Sequence, residues 1–532
     1  MHDLRLLALL HAGAILAAVA ASPRPAAADI PGSPRIYDVE AYDVEGAKLL
    51  NVDEVETAVY PYLGPGRTVA DIEKARAALQ KAYSDRGYSS VVVDLPQQNI
   101  DDKAANIVRL HVVEATVGRL RVTGARYFSP DAIKREAAAF QEGQVPNINQ
   151  AQAEVAELNR DPDRRVNPVL RAGVVPGTVD VDLNVHDSLP LHATLELNND
   201  HNQYTTPLRI LASVTYDNLF QLDHSASFTY GVAPENRANS EIFAGSYLAP
   251  VANTPVSLLV SGYDSNSNVA TLGGTTVLGK GYSAGFRTIY QLPRLSGFIQ
   301  SINLGMDFKR FDELIQVPTT TPTYAPVHYW PIVAAYNLQH DSEKASTTAS
   351  LSITAGILDV GSSTAEFENA RLNARPDFVH VNLDITHTET LWRGFTASQR
   401  VVGQLSDGPL VSSEEFAGGG FTSVRGYLQS EAVGDEGVTG QLELVTPTLS
   451  PKTTPALDSL RVYAFTDGGS IWILQPLADQ TKYFALASAG LGLRLALLRH
   501  ISGDVAVAVP FITGPATHAG RPRATFSLKS DF

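Results

Sequence analysis

The 532-residue chain contains no cysteine and only two methionines. Without cysteine there are no disulfides, no thiolate metal sites, no cysteine nucleophile and no lipidated N-terminal cysteine. Charge is scarce too, at 18% of residues against roughly 25% in ordinary soluble proteins. Positive charge is scarcer than negative: 41 Lys and Arg against 56 Asp and Glu leave a formal charge of −15. A nucleic-acid surface needs a basic face, so that balance argues against one. After the first few dozen residues no apolar run approaches the roughly 20 residues of a membrane-spanning helix. What the chain does have is 44% apolar residues, 40 glycines, 20 tyrosines and 19 phenylalanines. That is too apolar for a disordered chain.

The N-terminus reads as an export signal. Met1 to Arg5 is a short basic start, and Leu6 to Ala21 is an apolar run interrupted by His11. Pro23, Pro25 and Ala26-Ala27-Ala28 then precede Asp29. A basic start, an apolar core and an A-x-A site make residues 1–28 a cleavable signal peptide. The run is short for a membrane anchor, the alternative reading. The protein therefore leaves the cytoplasm, and any membrane crossing has to be a closed β-barrel.

After a short segment, 29–35, the order β-α-α-β-β appears twice. In the first unit, Tyr37–Val44 reads as a strand and Asn51–Leu63 as a helix broken by Pro65-Gly66. Thr68, with Asp71 three residues on, can cap a second helix, and Ile72, Ala75, Leu79, Ala82 and Tyr83 share one face of it. Arg86-Gly87-Tyr88 ends that helix. Strands follow at Ser90–Leu95 and Asn106–Val113, the latter with Ile107, His111 and Val113 on one face. The second unit has a strand at Arg119–Val122, helices at Pro130–Phe140 and Ile148–Leu158, and strands at Arg165–Arg171 and Thr178–Val185. Two units of about 75 residues in the same order form a tandem array, with domains expected at 36–117 and 118–188. Exposed sheet edges in such modules can capture an extended peptide by adding a strand; plain structural spacers are the alternative.

From 189 to 532 the helical patterns stop. About sixteen alternating segments follow, the first near 191–198 and the last near 524–532. In the fourteenth, Ala489, Leu491, Leu493, Leu495 and Leu497 share one face, with Ser488, Gly490, Gly492, Arg494 and Ala496 on the other. In the last, Ala524, Phe526, Leu528 and Phe532 oppose Thr525, Ser527, Lys529 and Asp531. Period-two alternation, apolar outside and polar inside, is the pattern of a lipid-embedded barrel. A soluble sandwich would alternate in the same way. The export signal, the terminal Phe532, and Trp330, Trp392 and Trp472 near strand ends favour the membrane. The fold class is therefore α+β tandem domains followed by a 16-stranded antiparallel transmembrane β-barrel. Such a barrel can hold a water-filled lumen, and the polar stretches 311–326, 358–376 and 406–437 would form its longer outer loops.

The loop 406–437 contains Phe416-Ala-Gly-Gly-Gly-Phe-Thr-Ser-Val-Arg-Gly-Tyr427. Arg425, flanked by Val424, Gly426 and Tyr427, suggests a tucked-in loop, and a buried guanidinium needs a carboxylate. On the thirteenth segment Leu460, Val462 and Ala464 would face lipid, leaving Arg461, Tyr463, Phe465 and Asp467 toward the lumen, with Gly468-Gly469 ending the strand. Asp467 could then pair with Arg425. On spacing alone, a surface arginine and a turn aspartate is the simpler reading.

Val424-Arg-Gly-Tyr427 together with Phe465-Thr-Asp467-Gly-Gly469 resembles the two sequence marks of two-partner secretion transporters. These are the haemolysin/haemagglutinin secretion-activation proteins of the POTRA-barrel superfamily. Val44-Glu-Gly46, Pro61-Tyr-Leu-Gly64 and Tyr83-Ser-Asp-Arg-Gly87-Tyr88 resemble the first POTRA domain of that family, and Leu158-Asn-Arg-Asp-Pro162-Asp-Arg its second. The resemblance covers nearly the whole mature chain. It implies two periplasmic POTRA domains and a barrel in the outer membrane of a Gram-negative bacterium, with Arg425 in a barrel-inserted loop and Asp467 as its partner. It also implies export of a large, β-rich secreted partner as an unfolded chain, without a nucleotide cofactor. Phe526, Leu528 and Phe532 would form the C-terminal signal read by the barrel-assembly machinery, which inserts the chain into outer-membrane lipid. Family members often begin with a plug helix and linker. The short segment 29–35 does not accommodate both, so obstruction of the pore would fall to loop 406–437 or a POTRA unit, or the pore would sit more open.

Other constellations are set aside. Gly281-Tyr-Ser283-Ala-Gly285 matches a nucleophile elbow but sits in an alternating strand and not in a strand-turn-helix. The 13 histidines show no metal-ligand spacing, His111 reads as structural, and Gly490-Leu-Gly492 lacks the helix of a nucleotide loop. No enzyme, metal or cofactor is expected. Beside secretion, two readings stay open: an assembly factor that inserts other barrels, and a passive solute channel or surface structural protein. Mass spectrometry of the protein from outer membranes should find Asp29 as its first residue; a mature chain that retains Leu6–Ala21 would contradict the signal assignment.

Overall fold

The computed structural model describes residues 36–98 and 107–532, except 253, 267–268, 273–274, 279, 294, 296, 316–322, 450–455 and 479. The signal peptide 1–28 and segment 29–35 lie outside the described residues. The chain divides into two compact units, Met1–Gly124 with Ile133–Val185 and Ala125–Ala132 with His186–Phe532.

The first unit holds two α/β modules. In the first, Ala41–Glu45 pairs in parallel with Ile107–Val113, which carries antiparallel Val92–Asp94 on its other side. Helices Val52–Val59 and Val69–Asp85 accompany this sheet. In the second module, Thr116–Thr123 pairs in parallel with Thr178–Asp187, whose other neighbour is Arg164–Ala172. Its helices are Pro130–Glu136 and Ile148–Leu158.

Local chemistry accounts for these elements. Thr68 caps the Val69–Asp85 helix in a reciprocal box with Asp71, satisfying amides that a helix start otherwise leaves unpaired. The Lys74 ammonium and the Thr68 amide and hydroxyl hold the Asp71 carboxyl well below the usual carboxylate range. Ile72, Ala75, Leu79 and Tyr83 are buried along that helix, as 3.6-residue spacing requires. Tyr83 donates to Glu114 Oε1 (2.9 Å), which also accepts from the amides of Lys48 (2.7 Å) and Leu49 (2.8 Å). Burial and the adjacent Glu114 raise the Tyr83 phenol above its ordinary value.

Several sequence expectations are corrected here. The segment Tyr37–Val44 is two strands, because Ile36–Val39 leaves the main sheet to pair with Gly64–Thr68. Pro65-Gly66 thus lies within a strand of a two-stranded ribbon, where a missing proline N–H is tolerated. The first helix stops at Val59, and a 3-10 turn containing Pro61 follows at Tyr60–Tyr62. The helix expected over Pro130–Phe140 ends at Glu136; the chain leaves helical geometry at Ala137 (φ −92°, ψ 53°) and continues as a 3-10 turn, Ala138–Phe140. On Ile107–Val113 the buried face is Val108, Leu110 and Val112. The face with Ile107 and His111 also carries Arg109, and the charged side takes the water.

One feature repeats. Gly46 (φ +89°) and Gly124 (φ +87°) each follow the first strand of a module's main sheet, and a Cβ at either would lie 2.3 Å from a carbonyl oxygen, that of Val112 or Val185. Both positions need left-handed backbone and close approach, which only glycine meets without strain. Gly46→Ala and Gly124→Ala should each cost their own module about 1–3 kcal/mol. Limited proteolysis should show faster cleavage of that module with the barrel's heat-modifiable band unchanged; wild-type cleavage rates would contradict this.

The second unit is a closed barrel. Its strands run in chain order from Leu191–Asn198 to Arg523–Asp531, and these two close the ring by pairing from Thr194↔Asp531 to Asn198↔Ser527. Thr323–Tyr329 and Ile332–Asp341 both lie along Phe298–Ile315. They form one strand interrupted at Trp330-Pro331, which makes the barrel sixteen-stranded. The faces alternate: Leu491 and Leu493 point outward at 63% and 36% exposure, whereas Tyr463, Phe465 and Asp467 are buried inside. Such an outer belt suits lipid and not water.

Most connections on the side where the first strand enters are short, such as Ser342–Lys344 and Leu498–His500, with 446–456 the exception, while most on the opposite side are longer, the asymmetry of an outer-membrane barrel. All three expected outer loops contain ordered structure, the third, 406–437, as a short ribbon. Within 311–326 the strand Phe298–Ile315 continues and Thr323 begins the next; within 358–376 a helix, Thr364–Ala370, packs Phe367 against Tyr329. The thirteenth strand does not stop at Gly468-Gly469. It runs Leu457–Trp472, because Gly468 and Gly469 pair with Gly440 and Thr439 and keep the ladder intact. Ser283 lies within the sixth strand, Lys280–Gln291.

Candidate functional site

The connection between the eleventh strand, Thr396–Ser406, and the twelfth, Glu436–Val445, folds into the barrel. Its legs form a short antiparallel ribbon, Phe416–Gly418 with Ala432–Gly434. Its tip carries Val424, Arg425, Gly426 and Tyr427, all buried. Val424 and Tyr427 pack with Phe416, Ala432, Ile471 and Leu486. The Tyr427 hydroxyl donates to the carbonyls of Ile512 (2.7 Å) and Ala487 (3.1 Å). Gly426 takes φ +94° directly against Ala508.

Arg425 is the centre of the cluster. Its backbone N–H (3.0 Å) and Nε (2.7 Å) donate to Asp467 Oδ2, its Nη2 to Asp467 Oδ1 (2.8 Å), and its Nη1 to Glu443 Oε2 (2.8 Å). The Asp467 side chain is fully inaccessible and that of Arg425 is 5% exposed. The guanidinium also lies 3.6 Å from the Phe465 ring centroid, a cation–π contact strengthened by exclusion of water.

The cluster extends along the wall. Arg494 donates to Glu443 and to Asp504 Oδ2 (2.7 Å), Tyr463 donates to Asp504 Oδ1 (2.5 Å), and the Arg494 guanidinium stands 4.2 Å over the Tyr463 ring. Phe465 and Tyr463 have Gly490 and Gly492 as cross-strand partners. A Cβ at Gly490 would come within 2.5 Å of the Phe465 ring and one at Gly492 within 2.1 Å of the Tyr463 ring. The glycines on strand fourteen make the room in which the aromatic rings lie flat and the guanidiniums stack.

The structure thus brings together Val424, Arg425, Gly426, Tyr427, Phe465 and Asp467. Gly469 lies further along the strand, beside Thr439, and contributes close approach of strands. Phe526, Leu528 and Phe532 sit apart on the last strand and its end, with Leu528 and Phe532 exposed. Sequence reading missed Glu443, Arg494 and Asp504. The signal was available: Arg494 stood on the inward face of the fourteenth segment, and an inward arginine needs an acidic neighbour. It also missed Glu414, Asp435, Lys309 and Arg371, which lie in loops or outer strand ends.

Fold and site together define an outer-membrane β-barrel preceded by periplasmic POTRA structure. Residues 177–495 match the family described as haemolysin secretion/activation protein ShlB/FhaC/HecB, and residues 37–115 match the POTRA domain, ShlB-type. The chain belongs to that haemolysin secretion/activation family. The heme/hemopexin transporter protein HuxB of Haemophilus influenzae (strain 86-028NP) is 22% identical over 475 residues, 86% of this chain and 80% of the relative. The outer membrane transporter CdiB of Dickeya dadantii is 22% identical over 159 residues, 30% of this chain and 27% of the relative. Among solved structures, CdiB from Escherichia coli aligns with a TM-score of 0.65 at 18% identity, covering 96% of this chain and 93% of that one. BamA from Haemophilus ducreyi, lacking POTRA domains 1–3, aligns at 0.56 and 15% identity, covering 93% and 100%.

The two carboxylates on Arg425 are not equivalent. Glu443 is shared with Arg494, whereas among the described residues Asp467 pairs with Arg425 alone. Breaking a buried pair from one side costs about 3–5 kcal/mol, so Asp467→Asn should approach that figure. Glu443→Gln should cost less, since each guanidinium keeps another carboxylate. The midpoint of heat-induced barrel unfolding reads the difference; equal shifts would contradict this asymmetry.

Proposed function

We propose that this protein exports one large, β-rich partner across the outer membrane as an unfolded chain. The observation that carries the reading is the match of residues 177–495 to a secretion/activation family; the lumen-anchored loop is consistent with it. In this reading the periplasmic modules recognise the N-terminal region of the partner by adding its extended segment to a sheet edge. The chain then passes through the polar lumen. Arg425 and Asp467, with Phe465 stacked on the guanidinium and Val424, Gly426 and Tyr427 seating the backbone, hold the loop in its working position. Folding of the partner outside supplies direction by blocking backsliding, without a nucleotide. Phe526, Leu528 and Phe532 act in the chain's own insertion, as the signal for the barrel-assembly machinery.

A second reading is favoured by one observation. The ring closes over a short stretch, Ala193–Asn199 against Phe526–Phe532. A short seam suits an assembly factor that inserts other barrels.

Comparing culture supernatants of wild-type and deletion strains by mass spectrometry separates the two. Loss of one large protein, restored by complementation, is expected. Matching supernatants with several outer-membrane proteins depleted would make the protein an assembly factor. Arg425→Ala should reach the membrane at wild-type level and secrete about tenfold less, the effect of losing ~1.4 kcal/mol from the working arrangement. Absence of the variant from the membrane would make Arg425 a folding residue instead.

A further inference from the structure

A second charged cluster lies at the legs of the inserted loop, separate from Arg425. Glu414, 6% exposed, accepts from Lys309 Nζ (2.7 Å) and Tyr329 Oη (2.5 Å) on one oxygen, and contacts His380 Nε2 (3.2 Å) with the other. Asp435, fully buried, accepts from Arg371 Nη2 (2.8 Å) and from the amides of Leu410 (2.7 Å) and Leu474 (2.6 Å). Arg371 also reaches Glu415 (3.1 Å). The buried Gln404 side chain of the eleventh strand ties the two legs together, donating to the carbonyls of Glu414 (2.9 Å) and Asp435 (3.0 Å). Leu410 and Val411 join the apolar cluster formed by Val327, Tyr329, Phe367, Ala374 and Phe378.

Among the described residues no hydrogen bond or ion pair joins these charges to the Arg425 group, and the legs meet the tip through the apolar packing of Phe416 and Ala432 on Val424 and Tyr427. Between the two lie Gly419 (φ +105°) and Gly420 (φ +100°) on one leg and Ser430 (φ +48°) on the other. The loop therefore has a stalk, 410–418 with 432–435, and a tip, 419–431, joined through left-handed backbone. The stalk is fixed by buried charge on both legs. The tip depends on the Arg425 cluster, on the packing of Val424 and Tyr427, on Glu431, which accepts from the amides of Ala516 (3.1 Å) and Thr517 (2.7 Å), and on single contacts such as Arg400 Nη1 to the Thr422 carbonyl (3.0 Å) and the Gln429 amide to the His201 carbonyl (3.0 Å).

The geometry points to Glu414 and Asp435 as positioning residues: they hold the stalk to the wall independently of Arg425, so that only the tip moves when the pore works. This rests on the secretion reading for its purpose, and its test does not. The buried carboxylates of the stalk are satisfied from several strands and loops at once, and releasing them would strand charge. Releasing the tip leaves Glu443 neutralised by Arg494, strands Arg425 and Asp467, and frees the half-buried Glu431 from Ala516 and Thr517. The difference in cost sets which part moves first.

The chain has no native cysteine, so single cysteines report without background. Thr422→Cys marks the tip and Ala417→Cys the stalk, both in outer membranes treated with a membrane-impermeant maleimide. Adding Arg425→Ala should speed labelling of Thr422→Cys about tenfold, as local opening of one segment would, and leave Ala417→Cys at its original rate. Adding Glu414→Gln should speed labelling of Ala417→Cys. Gln404→Leu, which removes the bonds to both legs without touching a charge, should do the same and serves if Glu414→Gln does not assemble. The inference is overturned if Arg425→Ala raises both rates alike or neither. It is equally overturned if Glu414→Gln, or Gln404→Leu in its place, leaves Ala417→Cys unchanged in a barrel of normal heat-modifiability. No exported partner enters this assay, so its failure leaves the secretion reading standing, and unchanged supernatants would leave the anchor standing.

Discussion

A charge placed inside a membrane barrel has nowhere to go except to an opposite charge or to the water of the lumen. That constraint organises the second unit. Arg425 arrives on a loop from the outer side and is taken up by Asp467 and Glu443, on strands thirteen and twelve. The desolvation cost of a guanidinium is several kcal/mol unless geometry and hydrogen bonds repay it. Here a bidentate contact, a third bond from the backbone N–H and a flat aromatic face repay it together. Three further inward arginines pair with acids on neighbouring strands: Arg287 with Asp307, Arg400 with Asp384, and Arg494 with Asp504.

The pairing depends on the period of the strand. A β-strand sends alternate side chains to opposite faces, so a run such as Val462-Tyr463-Ala464-Phe465-Thr466-Asp467 places its aromatic and acidic members in the lumen without further instruction. Small residues on the adjacent strand then set how the inward rings lie. Gly490 and Gly492 leave the space that Phe465 and Tyr463 fill, and those rings carry the guanidiniums of Arg425 and Arg494. The wall is in this sense shaped to receive the loop, and the buried acids at the loop's legs keep the rest of it against the wall.

The strands were legible because lipid outside and water inside impose opposite chemistry on alternate residues, so Leu491 and Arg494 announce their faces. The capped helix Val69–Asp85 was legible from Thr68, Asp71 and the spacing of Ile72 to Tyr83. Where the sequence misled, two physical preferences competed. Pro65-Gly66 reads as a breaker, yet a two-stranded ribbon edge tolerates proline. Gly468-Gly469 reads as a strand end, yet close approach of Thr439 and Gly440 keeps it in register. On Ile107–Val113 the alternation alone did not say which face was buried; Arg109 and His111 take the Ile107 face to water and leave Val108, Leu110 and Val112 inside. The Arg425–Asp467 contact could be named from a resemblance but not from spacing, since 42 positions separate the two residues and only the closed barrel brings them together. Glu414 and Asp435 gave no local signal, because their partners come from strands and loops far along the chain.

A polypeptide that passes through the barrel touches its inner wall and not its outer belt. Ser350 and Leu351 are neighbours on the ninth strand, Ala345–Ala355; Ser350 lines the lumen with Asp384 and Arg400, and Leu351 faces outward at 45% exposure. A photo-reactive side chain placed at each position, irradiated during export, asks the question directly. Passage through the lumen gives a covalent adduct with the secreted partner from position 350 and none from position 351. Adducts from 351 alone, or from the periplasmic modules with none from 350, would contradict it.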